Sequence, residues 1–309
     1  MKLGVIFGVM AGMIWGGIFI VPRMLPDFSP LLLSCVRYII YGAVSAAVAV
    51  PIAKKLIKEI SLKEFILLVK FALAANLVYF VFMTASVQLI GVAPVALIVG
   101  LVPVVATVAG SGVKGSLKLQ PLIGPLFLIF TGLLFINIDV FTVGGITVSF
   151  MGKAAGIVMA FCALFSWSWY ALRNAGYLHT NNRFNSSEWS VLLGIVTGAL
   201  AVLVLIIVIL LPVKLYNDNL TPERWYLFFA MTFLLAVGAS YIGNSFWNAA
   251  SKRLPLTLFG QMIIFETLFG LIYGFIYSGR LPRHMEVLAV ITLICGVYWS
   301  VRVHINKKG

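Results

Sequence analysis

The stretch GVIFGVMAGMIW, residues 4–15, returns in outline as GIVMAFCALFSW at residues 156–167. Gly4-Val5-Ile6 answers Gly156-Ile157-Val158, Ala11 answers Ala163 and Trp15 answers Trp167, each pair 152 positions apart. Each stretch opens a set of five apolar spans, and a bilayer-crossing helix needs roughly 20 such residues. The spans predicted in this way are 3–22, 30–51, 64–87, 92–110 and 121–138, then 154–174, 189–212, 225–250, 255–277 and 285–303. An odd number of crossings per half makes the second half enter the membrane from the opposite side. The reading is therefore an all-α integral membrane fold of ten transmembrane helices in two inverted five-helix repeats, residues 1–140 and 153–309. In such architectures the site lies near the midplane, between the halves. The linker from Val140 to Gly152 is weakly hydrophobic, with Gly and Thr, and suits the outer interface.

Composition agrees with this class. Hydrophobic residues make up 62% of the 309 and charged residues 10%, far from a soluble domain. Little chain remains for an extramembrane domain. The first span follows Lys2 directly, stays apolar for nearly twenty residues and starts the repeat, so it reads as a retained helix, not a cleaved signal. The net charge of +13 would suggest nucleic acid for a soluble chain, but here it follows from membrane orientation, and no nucleic-acid partner is expected. With the N-terminus inside, inner segments hold fourteen Lys and Arg against six outside, which puts both termini in the cytoplasm. Cys35, Cys162 and Cys295 fall inside apolar spans and read as reduced packing residues. His179, His284 and His304 are peripheral and assemble no metal site at helical spacing, so neither metal nor cofactor is expected. Pro30, Pro51, Pro212 and Pro255 sit at span ends, where a missing amide hydrogen does least harm.

Several motifs carry a likeness to a known family: the Gly4–Trp15 pattern, Ser29-Pro30-Leu31 through Arg37, and Ala85-Ser86 leading to Pro103. Ala249-Ala250-Ser251-Lys252 with Leu254-Pro255-Leu256-Thr257, and the closing Gly296-Val297-Tyr298, extend it over both halves. On these residues the chain resembles the drug/metabolite transporter superfamily in its EamA-like branch. The resemblance implies a ten-helix carrier working by alternating access, commonly an exporter of metabolites, amino acids or toxic compounds. One departure stands out. The family commonly carries a Gly-Glu pair after the fourth and ninth helices, where this chain reads Gly112-Val113-Lys114 and Ser278-Gly279-Arg280.

Candidate residues follow from depth. Of nine carboxylates only Glu266 is deep, eleven residues and roughly 16 Å into its span at 1.5 Å per residue. A charge there costs at least about 2.5 kcal/mol, so it is expected to face a cavity or a partner and to serve as the coupling group. The alternative is a neutral carboxyl hydrogen-bonded to a neighbouring helix. Trp15 and Trp167 lie at midplane depth although tryptophans favour the interfaces; they either line the site or fill space between the halves. Trp169 and Tyr170 can share either role. In the eighth span Tyr241, Asn244 and Asn248 follow i, i+3, i+7 spacing, with Trp247 beside them, and read as a cavity-lining stripe that Gln261 can join. Tyr79 and Asn76 are further substrate-binding candidates. Arg37, roughly 10 Å deep, reads as a structural residue snorkelling to headgroups or bonding backbone carbonyls, with attraction of an anion as the alternative. Lys70 is expected to snorkel, and Gly16-Gly17 to permit close approach or bending.

No nucleophile–base constellation is present in the sequence, so the expectation is a secondary transporter and not an enzyme. It would move small metabolites, amino acids or amphipathic, cationic or aromatic compounds, out across an inner membrane, with protons as a possible partner and a monomer or homodimer as its state. An uptake carrier or exchanger of the same fold, and a non-transporting scaffold or lipid-handling protein, are the alternatives. Aligning the third-and-fourth with the eighth-and-ninth spans at an offset of 163 matches Glu266 to Pro103, Asn244 to Val81 and Asn248 to Ala85. That predicts a duplicated scaffold with polar recognition mainly in the second half.

Overall fold

Caps in the sequence start the long helices. Ser29 accepts the Leu32 amide at 3.2 Å ahead of Pro30. Ser61 with Glu64, and Asn185 with Glu188, form reciprocal capping boxes that satisfy the free amides of the first turn. The computed structural model describes residues 2–110, 119–142, 149–181, 183–279 and 281–306. Among these it is all-helical apart from an isolated antiparallel bridge between Phe28 and Tyr216. Eight helices there are long and apolar enough to cross a bilayer: Lys2–Met24, Pro30–Glu59, Leu62–Ile90, Phe150–Thr180, Ser186–Ile209, Pro222–Ser251, Gly260–Tyr277 and His284–Asn306. The chain is a multi-pass membrane protein.

The expected spans shift in instructive places. The sixth is far longer than 154–174, because Ser149 caps a helix that runs from Phe150 to Thr180. The linker shortens accordingly: the preceding helix, Ile123–Thr142, passes Val140, and Met151 and Gly152 are already helical. The fourth is not continuous. It forms Val92–Val99 and Val102–Gly110, since Pro103 offers no amide hydrogen and restricts the residue before it. The ninth is likewise divided into Leu256–Phe259, a 3₁₀ turn Gly260–Ile263 and Ile264–Ser278. Gly91, at φ 86°, makes the tight turn between the third and fourth segments. Gly112, Lys114 and Arg280, from the two stretches where no acidic residue follows the glycine, lie outside the described residues.

Two irregularities recur at a constant spacing. A π-helix occupies Ala72–Val78 in the 62–90 helix and another occupies Leu235–Gly243 in the 222–251 helix. They begin 163 residues apart, the same offset that aligns these spans in sequence. Such wide turns leave backbone carbonyls displaced from their usual partners and are frequent at functional sites.

Packing crosses between the halves. The 2–15 helix lies against residues 244–251 and 264–278, while the 150–180 helix lies against 79–90 and 92–110. The 30–49 helix packs on the second π-helix, and the 186–209 helix packs on the first. These two helices also meet each other at Gly42 and Gly198. A Cβ on Gly42 would stand 2.5 Å from Gly198 Cα, and a Cβ on Gly198 would stand 2.6 Å from Gly42 Cα. Only hydrogen fits at either place. Gly16 makes a similar approach to Gly270, where a Cβ would lie 2.7 Å from the amide nitrogen, as the Gly16-Gly17 pair suggests. Cys35 is buried, but Cys162 and Cys295 are exposed on the helix bundle, so packing explains only the first of the three.

Candidate functional site

Between the π-helices lies a small cavity. Its walls are Trp15, Ile18, Arg37, Tyr38, Ala75, Asn76, Tyr79, Trp167, Tyr170, Ala239, Asn244 and Glu266. Both halves of the chain build it, and both π-helices contribute a residue: Asn76 from the first and Ala239 from the second.

The aromatic wall is centred on the two repeat tryptophans. Their rings meet at 5.8 Å and 89°, edge to face, which suits the opposed charge of ring face and rim. Trp247 backs both, at 5.1 Å from Trp15 and 5.2 Å from Trp167. Tyr79 and Tyr170 flank Trp167 at 6.4 and 6.1 Å. Trp15 is held in place because its Nε1–H donates to the Ala239 carbonyl, at 2.8 Å, inside the second π-helix.

The charged groups are Arg37 and Glu266, each only 4% exposed. Arg37 does not snorkel. Its Nε–H donates to Ser240 Oγ at 3.0 Å, and its guanidinium carbon lies 4.3 Å from the Phe80 ring centre and 5.0 Å from that of Tyr38. Cation–π contacts of this kind hold the cation within the protein instead of at the headgroups. Arg37 Nη1 and Glu266 Oε1 are both buried without a hydrogen-bond partner, and the two residues share the cavity. Buried polar atoms in that condition are costly and call for an explanation. Asn76 donates from Nδ2 to Thr197 Oγ1 at 2.9 Å, and that hydroxyl donates to Leu193 O at 2.7 Å. Asn244 completes the polar wall.

The eighth-span stripe comes apart in three dimensions. The spacing of Tyr241, Asn244 and Asn248 shares a face only on a regular α-helix, and the π-helix runs to Gly243. Asn244 reaches the cavity; Tyr241 is half-buried outside its walls. Asn248 accepts from Asn174 Nδ2 at 2.7 Å and donates to Ser190 Oγ at 2.7 Å, while Trp189 Nε1–H donates to Asn174 Oδ1 at 2.8 Å. That network ties three helices together. Trp247 supports the wall from behind, and Gln261 is fully buried in the 3₁₀ turn away from the lining. Trp169 is 40% exposed and faces outward.

Ile18, Tyr38, Ala75 and Tyr170 line the cavity as well. Helical spacing carries a signal for two of them. Ile18 follows Trp15 by three residues and Tyr170 follows Trp167 by three, so they are equivalent at the 152 offset. The polar lining is also shared, not concentrated in the second half: Arg37 and Asn76 come from the first, Asn244 and Glu266 from the second. Among the described residues no three His, Cys, Asp or Glu side chains gather as metal ligands.

Comparison with known proteins fits this geometry. Residues 2–138 match the EamA-like transporter family. Along almost its whole length the chain is similar to Inner membrane protein YtfF of Escherichia coli (strain K12), with 28% identity covering 98% of this chain and 96% of the relative. A solved crystal structure superposes with a TM-score of 0.74 at 15% identity, covering 99% of each chain, so the overall fold is one already seen.

Proposed function

We propose that this chain, whose residues 2–138 match the EamA-like transporter family, is an inner-membrane carrier of a small amphoteric solute bearing an apolar or aromatic group. It works by alternating access of two inverted five-helix halves around the cavity, in the direction of export, with both termini in the cytoplasm. The carrying observation is the pair Arg37 and Glu266: opposite charges, buried, each with an atom lacking a partner, on the wall of one aromatic cavity. A solute carboxylate would meet the guanidinium of Arg37. A solute ammonium, or a proton in its place, would meet the Glu266 carboxylate. Trp15 and Trp167 would take the apolar body against their faces, and the amides of Asn76 and Asn244 would read its remaining polar groups. The matching π-helices and the Gly42–Gly198 contact support the paired architecture, and the excess of Lys and Arg on inner segments supports the orientation.

The test is counterflow in proteoliposomes preloaded with aromatic and aliphatic amino acids, and with analogues carrying only the amine or only the acid. Exchange accelerated by the amphoteric members alone is the expected result. Acceleration by amines and not acids would move the reading to a cation carrier. Exchange indifferent to every solute would favour a lipid-handling or scaffold role instead. Retained transport with an unchanged pH profile in Glu266→Gln would end the proton-coupling part.

A further inference from the structure

Each end of the helix bundle carries an arginine–carboxylate pair outside the cavity lining, and the two pairs occupy equivalent places in the two halves. At one end Arg224 clasps Asp27: its Nε lies 2.7 Å from Asp27 Oδ2, a second guanidinium nitrogen reaches the same oxygen, and Nη2 donates to Met24 O at 2.9 Å. At the other end Arg183 Nη1 lies 3.2 Å from Glu64 Oε2 and donates to Glu59 O at 2.9 Å. Tyr177, Asn181 and Ser61 also donate to the Glu64 carboxylate.

Their registers coincide. Asp27 stands two residues before the cap Ser29, and Arg183 stands two before the cap Asn185. Arg224 and Glu64 are each the third helical residue after their caps, Thr221 and Ser61. The neighbours agree too. Phe28 and Phe184 are each 1% exposed, and their carbonyls accept from Gln88 Nε2 at 3.1 Å and Lys252 Nζ at 2.8 Å. The offset of 156 that links Asp27-Phe28-Ser29 to Arg183-Phe184-Asn185 also links Gly42 to Gly198.

From this we infer that Asp27–Arg224 and Glu64–Arg183 are one latch built twice, sealing opposite faces of the membrane, with the charges exchanged so that the first half carries both carboxylates and the second half both arginines. The inference rests on the reading of two inverted halves but not on the identity of the solute. The exchange of charge has a physical use. A latch residue finds its opposite only across the seam, so the pairs draw the halves together at both ends and cannot close within one half. Opening toward a face then requires separation of that face's pair while the other holds. The Glu64 end has more to separate, since Lys55 and Glu188 form a second ion pair there at 2.6 Å. At the Asp27 end Leu32 stands where the 156 offset places Glu188, so no such ion pair forms on it, and Leu215 O accepts the Ser29 amide at 2.8 Å.

The experiment uses the full chain in oriented vesicles, with Cys35, Cys162 and Cys295 replaced by Ala and an Ala75→Cys substitution placed on the cavity wall. A membrane-impermeant methanethiosulfonate is applied from one face at a time. Asp27→Asn is expected to raise the labelling rate several-fold from the Asp27 face alone, and Glu64→Gln several-fold from the Glu64 face alone. The exchanged pairs, Asp27→Arg with Arg224→Asp and Glu64→Arg with Arg183→Glu, should return labelling toward the parent rate. They also keep the idea open to refutation should a single variant fail to fold. Equal labelling from both faces, or rates unmoved by either single variant, would overturn the latch while leaving the carrier reading intact. A parent that takes no label from either face would remove the cavity as a solute path, and the latch with it.

Discussion

Trp15 and Trp167 hold equivalent places in the two halves and meet edge to face at 5.8 Å, yet the four polar residues around them have no such twins. The position equivalent to Arg37 is Leu193, and that equivalent to Asn76 is Ala239. Asn244 corresponds to Val81 and Glu266 to Pro103. What the halves share is therefore framework: the paired tryptophans, the π-helices, the glycine contact. What they do not share is the polar lining of the cavity. In the proposed carrier a symmetric frame would present the cavity to either face, and an asymmetric wall would hold a solute with two different ends one way round.

That contrast can be broken most severely at the frame. Gly42→Val and Gly198→Val should each destabilise by about 3 kcal/mol or more through overpacking of the backbone contact. By symmetry the two should do so to a similar degree, read as the melting temperature of the purified protein in detergent. Next comes the wall. Arg37→Leu gives the first half the residue that the second half already carries, and leaves Glu266 without an opposite charge in the cavity. Transport should fall at least about tenfold, the effect of losing roughly 1.4 kcal/mol of charge-assisted binding, with little change in melting. Asn76→Ala and Asn244→Val repeat that experiment for the amides and should raise the half-saturating solute concentration by about threefold to tenfold, a single neutral hydrogen bond each. Asn248→Ala belongs to the frame instead. It should lower stability by about 0.6 kcal/mol for each interhelical bond lost and leave solute affinity alone. If transport affinity moves and melting does not, Asn248 belongs to the site after all. The smallest effect is expected at Lys214→Ala, whose pair with Asp218 is solvent-exposed and worth under about 1 kcal/mol.

Much of the frame is legible in the chain because it depends on local chemistry. Capping residues, proline positions and the 152 offset locate the helices and put the two tryptophans in register. Glu266 is legible for a different reason: of the carboxylates in the sequence it alone falls well inside an expected span, and a group placed there has few roles. Arg37 is harder. Depth can be counted along a helix, but whether a long side chain turns toward headgroups or toward a neighbouring ring depends on what packs beside it, here Phe80 and Ser240 from distant parts of the chain. The stripe of Tyr241, Asn244 and Asn248 misleads because α-helical periodicity is assumed where a π-helix intervenes. The equivalence of Asp27 and Arg183 hides for a further reason. A reversed charge counts as a mismatch in any comparison of residue types, although in a pairing across the seam it is the conserved relation.

The glycine contact has a mechanical corollary. Gly42 and Gly198 each lie twelve residues, roughly 18 Å, along helices that run antiparallel to each other. No side chain is interleaved at the point of touch, so one helix can roll over the other there without any rotamer having to change. A pivot near mid-membrane has arms of comparable length above and below. In the proposed carrier, a tilt that widens one mouth would narrow the other by a similar amount, and a state open to both sides would demand that the backbones part at the fulcrum itself.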